Sequence, residues 1–162
     1  MKKKKVLIIG VGNPIRGDDS AGLEVVKILK SHKLPGGIET REASTGGLPL
    51  VEQFLDFEKV YLIDATYDLP GGEVKTFNSA KIKEQGDSTG VHGMGLTKSL
   101  KGLRRIYPDR VPKDENIKIF GIGINKNEEF SEKLSEQVAK AVDQTVKMIH
   151  TELGLSGAEN DH

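Results

Sequence analysis

The stretch Val6–Leu29, "VLIIGVGNPIRGDDSAGLEVVKIL", passes from an unbroken apolar run through two glycines, an Asn-Pro and two adjacent carboxylates into a second apolar pattern. Its first part, Lys5–Val11, shows no polar alternation, as expected of a central strand covered on both faces. In its last part Ala21, Leu23, Val25, Val26, Ile28 and Leu29 recur at helical spacing, and the helix should end near Ser31, before "LPGG". Asp18 stands where a carboxylate accepts hydrogen bonds from the first free N–H groups of that helix.

Working outward, Gly37–Ala43 reads as a weaker, more polar strand, and "GGLPLVEQFLDF" as a short helix with Leu50, Val51, Phe54 and Leu55 inward. "KVYLIDAT", Lys59–Thr66, is a second fully apolar strand closed by Asp64, while "GGEVKTFN" alternates and suits an edge. Leu96, Leu100, Leu103 and Ile106 form a helical stripe ending before Pro108, and "NIKIFGIGI" is the last strand. The final helix is expected over Ser131–Leu153, with Leu134, Val138, Val142, Val146 and Ile149 on one face. This alternation predicts an α/β protein: a three-layer α/β/α sandwich around a mostly parallel twisted sheet of about five strands. Residues 1–154 read as a single domain, and 155–162 as a disordered tail.

Composition narrows the function. Lys plus Arg and Asp plus Glu are equal at 24 each, so no net field draws nucleic acid or an anionic membrane. The 162 residues include no cysteine, which removes disulfides, thiolate metal ligands and a cysteine nucleophile together. Any metal would be held by oxygen and nitrogen. "MKKKKVLIIGVG" is read as a basic lead into the first strand rather than a signal peptide. No apolar run approaches the roughly 18 residues that cross a bilayer, so a cytoplasmic protein without membrane contact is expected.

In a parallel sheet the ligand crevice lies at the carboxyl ends of the strands. The candidates there are Asp18, Asp19, Asp64 and His92, the last within the glycine-rich stretch "GDSTGVHGMG". A dinucleotide fingerprint fails, because the sixth position counted from Gly10 is Ile15. A phosphate loop fails too, since Gly17 is followed by two aspartates. Two neighbouring carboxylates cannot both cap one helix, which leaves Asp19 freer to face the crevice. An acid directly after "VYLI" is costly unless a cation, a hydrogen-bond network or a raised pKa accommodates it, and a plain salt bridge would serve equally. A lone His92 reads as a solvated loop residue, but Gly90, Gly93 and Gly95 permit a tight loop that presents one side chain. His-Glu-x-x-His is absent, and "GDSTG", Gly86–Gly90, has the spacing of a nucleophile elbow but lacks the apolar strand that should precede it. What remains is two carboxylates and an imidazole, a set that a borderline divalent metal accepts when it must also touch a substrate. A noncatalytic metal- or nucleotide-binding module on the same fold is the alternative.

At these residues the chain resembles the maturation endopeptidases of nickel-iron hydrogenases. "GVGNPIRGDDSAG" resembles their N-terminal signature, "LIDAT" their second acidic motif and "GVHGMGL" their histidine motif. The resemblance implies an aspartic-type endopeptidase that removes the C-terminal extension of a [NiFe]-hydrogenase large-subunit precursor after nickel insertion. It gives metal-contacting roles to Asp19, Asp64 and His92, with Asp19 and Asp64 also the catalytic candidates. Nickel would be contacted through the substrate, with no tightly bound cofactor of the enzyme's own, and the enzyme would be a monomer. "EASTGG" resembles the family's glycine-rich segment, with Glu42 and Ala43 where an Asp and a Gly are common.

Overall fold

In the computed structural model, which describes residues 4–82, 95–125 and 133–155, the apolar runs become the interior of one sheet. Strands β1 (Lys4–Val11), β2 (Ile38–Ala43), β3 (Phe57–Thr66), β4 (Val74–Asn78) and β5 (Ile117–Gly123) lie in the order β2-β1-β3-β5-β4. All neighbours are parallel except β4, which runs antiparallel to β5. The three apolar strands are consecutive, and the two polar ones take the edges, where one side of the ladder meets water.

Helices α1 (Ala21–Ser31) and α4 (Glu136–Glu152) cover one face; α2 (Gly47–Glu52) and α3 (Leu96–Ile106) cover the other. The period of two sorts the core between them. Leu7, Ile9, Val60, Leu62, Ile117 and Ile119 pack with Leu50, Val51, Leu96 and Leu100. Ile8, Tyr61, Ile63, Phe120 and Ile122 pack with Val25, Leu29, Val138 and Ile149. Each such side chain contributes about 1.5–3 kcal/mol on burial, so both layers are held by the same strands that the sequence marks as apolar. By the same alternation Asp64, two residues after Leu62, belongs to the face covered by α2 and α3.

From β1 the chain crosses to β2 on one side and then returns past β1 to β3. The connections therefore leave the carboxyl ends of β1 and β3 in opposite directions, and a crevice opens between them. At the opposite edge, Arg110 donates to both oxygens of Asp56, at 2.9 and 2.8 Å, tying the turn after α3 to the turn before β3. That contact places the end of α3 at the amino edge of the sheet and its start at the carboxyl edge.

Three expectations change. β3 begins at Phe57 and continues two residues past Asp64, so the acid lies inside the strand rather than closing it. Ile106 is 66% exposed, because at 100° per residue it sits about 80° round the helix from Leu96, off the buried stripe. The last helix begins at Glu136, since Ser135 is extended at φ −64° and ψ 158°; Leu134 packs against the core from outside the helix. Residues 126–132 and the tail from 156 lie outside the described residues.

Candidate active site

The turn after β1 is built by glycines that let backbone meet backbone. A Cβ on Gly22 would stand 2.5 Å from the Ile63 carbonyl oxygen and 2.6 Å from that of Val11. A Cβ on Gly12 would stand 2.6 Å from the Asp19 carbonyl oxygen. The first turn of α1 is thus seated on the ends of both β1 and β3, immediately before Asp64. Between Gly12 and α1 the chain closes a short 3-10 helix, Gly17–Ser20, with Gly17 at φ 52°. Asn13 N–H donates to the Asp19 carbonyl at 3.3 Å, Asp19 N–H to Arg16 at 3.0 Å, and the Ser20 hydroxyl to Gly17 at 2.6 Å. The turn is rigid by its own hydrogen bonds, and it buries Asp19 to 6% exposure.

Asp64 is 3% exposed. The last rung between β1 and β3 is Gly10 with Ile63. Just beyond it, the Ala65 N–H donates to Asp64 Oδ1 at 2.8 Å, so the carboxylate satisfies a backbone donor where the two strands diverge. Asp19 and Asp64 are therefore both delivered to the carboxyl ends of neighbouring strands, at the point where the topology opens a crevice. His92 lies outside the described residues; the described chain resumes at Gly95, φ 80°, at the start of α3. Among the described residues no group of three or more His, Cys, Asp or Glu side chains is arranged to hold a metal ion.

Asp18 does not cap its own helix. No side chain caps the Gly17–Ser20 turn or α1. Its Oδ1 instead accepts from the Ser135 N–H at 2.7 Å and its Oδ2 from the Ser135 hydroxyl at 2.9 Å, so it caps α4 from 117 residues away. Local reasoning about caps could not find Ser135, because nothing near it in sequence announces the pairing. Glu42 accepts from Lys30 Nζ at 2.9 Å, an exposed ion pair with α1. Under the sheet, burial, with the Glu152 charge, pushes the Tyr61 phenol up.

The fold is an α/β sheet with two buried carboxylates near a switch point and no phosphate loop in front of them. The family model described as hydrogenase maturation protease matches residues 23–152, a span that begins just past the acidic pair and includes Asp64 and His92. A Methanocaldococcus jannaschii protein named as a hydrogenase maturation protease is 32% identical over 163 residues, covering 94% of this chain and 99% of the relative. The structure of a [NiFe] hydrogenase maturation protease, HybD, from Thermococcus kodakarensis superposes with TM-score 0.68 at 27% identity, over 92% of this chain and 99% of that one. The hydrogenase maturating endopeptidase HybD of E. coli gives TM-score 0.77 over 94% of each chain; at 21% identity it speaks for the fold. The chain belongs to the hydrogenase maturation protease family. It is accordingly an enzyme, a peptidase of the hydrolase class.

Proposed function

We propose that this protein is a cytoplasmic, monomeric endopeptidase that removes a short C-terminal extension from a [NiFe]-hydrogenase large-subunit precursor once nickel has been inserted. The observation that supports this reading is the pair of buried carboxylates, Asp19 and Asp64, at the carboxyl ends of adjacent strands. In this reading His92 joins them, and the three contact nickel that the substrate already holds through its own ligands. Two carboxylates and one imidazole, with no cysteine in the chain, are weaker than the four-ligand cages that retain structural zinc. Weak affinity suits the task, since an enzyme that bound nickel tightly would strip its partner. Nickel is then part of the substrate, and the enzyme keeps no tightly bound cofactor.

Two mechanisms fit this geometry. Nickel polarises the scissile carbonyl or the attacking water. Alternatively it fixes the peptide while Asp19 or Asp64, as an aspartic-type general base, takes the proton from water and returns one to the leaving amine. The test compares nickel-free and nickel-loaded precursor by intact mass after incubation with the protein. Loss of the C-terminal peptide from the loaded form alone is expected. Equal cleavage of both forms would remove nickel from the recognition step; cleavage of neither would favour a binding module.

A further inference from the structure

Large apolar side chains that stay in water are informative when they gather. Among the described residues three stand on the carboxyl edge: Ile15, 52% exposed in the turn after β1; Leu48, 48% exposed in the first turn of α2; and Tyr67, 47% exposed directly after β3. Ile106 and Tyr107 also lie exposed, but together at the foot of α3, on the opposite edge. Scattered exposed apolar residues are ordinary; three on one edge beside two buried acids are not. Strands β2, β1 and β3 are adjacent, so the three groups cross three neighbouring strand ends, a span of about 10 Å. Beside Leu48, Gly47 sits at φ 66°, and among the described residues, its chain neighbours aside, the nearest atom to a Cβ there would be Pro49 Cδ at 4.0 Å, so none of them crowds its backbone.

We propose that Ile15, Leu48 and Tyr67 form the docking rim for the precursor segment that flanks the scissile bond, and that this segment is extended and apolar at alternate positions. The inference rests on the peptidase reading above and adds the chemistry of what is recognised. An extended chain rises about 3.3 Å per residue and sends every second side chain the same way, so three or four residues span the rim. The rim lies along the strand ends that bear Asp19 and Asp64, and a peptide seated on it passes over both. Its apolar contacts are the same before and during bond cleavage. They therefore set binding and leave the chemical step to the acids.

The experiment measures release of the C-terminal peptide from nickel-loaded precursor by Ile15→Ser, Leu48→Ser, Tyr67→Ser and the triple variant, with Ile106→Ser as control. Affinity of the same precursor for these variants in an Asp19→Asn background is measured alongside. Each single change is expected to raise KM about five- to tenfold, roughly 1–1.4 kcal/mol, with kcat unchanged. The triple change should raise it more than about a hundredfold, the dissociation constant should follow KM, and Ile106→Ser should match wild type. Wild-type KM in the triple variant, with cleavage intact, overturns the rim and leaves the peptidase reading standing. A fall in kcat without a change in affinity overturns it as well. No release by the wild-type enzyme overturns the peptidase reading itself, and the rim with it.

Discussion

Replacing Gly22 by alanine sets helix propensity against packing in a way that can be measured. In an isolated helix alanine is better than glycine by up to about 1 kcal/mol. Here the added Cβ would stand 2.5 Å from the Ile63 carbonyl oxygen and 2.6 Å from that of Val11, where real Cβ atoms do not come closer than 3.0 Å. Both oxygens belong to interior strands and cannot rotate aside, so α1 must lift by about half an ångström against a packed layer. Overpacking of this kind costs about 1–3 kcal/mol, which leaves a net loss of up to roughly 2 kcal/mol. The lift also falls three residues from Asp19. A 1 Å misplacement costs about a hundredfold in rate, so roughly a tenfold loss is expected from half that distance. Urea unfolding followed by circular dichroism gives the first quantity, and peptide release by fully folded protein gives the second. A variant about 1 kcal/mol more stable than wild type, with an unchanged rate, would refute the backbone-to-backbone seating of α1.

Asp19→Asn and Asp64→Asn, and His92→Ala, should each abolish peptide release while thermal melts shift by only a few degrees, since Asn keeps the shape and removes the anionic ligand. Asp18→Ala should lower stability by about 1–2 kcal/mol in urea titrations through loss of the α4 cap, and Asp18→Asn should be milder in activity than Asp19→Asn. Burial pushes the Asp114 carboxyl up, but the Ser79 hydroxyl and the Arg104 guanidinium outweigh it and hold the group below its ordinary 3.8. A carboxyl depressed on folding stabilises the protein above the ordinary value and stops doing so as pH falls through the folded one. Arg104→Gln should therefore narrow the gap in urea midpoint between about pH 5 and about pH 2.

Much of the architecture follows from particular residues. The unbroken runs at Leu7–Val11, Val60–Ile63 and Ile119–Ile122 can be satisfied only inside a sheet covered twice, and their strands are consecutive there. The alternation of Val74–Asn78 suits one wet face, and that strand is an edge. The acids after such runs were legible because a carboxylate next to buried apolar backbone demands a reason. Asp18 escapes local reading for the converse reason: helix caps are usually local, and its partner at the start of α4 depends on two helices lying side by side, a tertiary fact without a sequence period. Ile106 counted toward the stripe by spacing alone, although its angle round the helix carries it out of the core. Ile15, Leu48 and Tyr67 carry no such signal, because they are single apolar residues far apart in sequence that reach one edge only when three strand ends align.

The acidic pair also bears on where the molecule can give way. Asp18 fastens the beginning of α1 to the beginning of α4 through Ser135, and at the far ends of the same helices His32 Nδ1 and His150 Nε2 stand 2.9 Å apart, one ring donating and the other accepting. A layer bolted at both ends resists sliding and moves as one body. Asp19, one peptide bond from the upper bolt, inherits that stiffness, which suits the general-base or metal-contact role proposed for it. In the other layer α2 is only six residues long and starts at Gly47, whose φ of 66° turns the chain sharply. A substrate docked as proposed would meet the bolted layer at Asp19 and the short helix at Leu48.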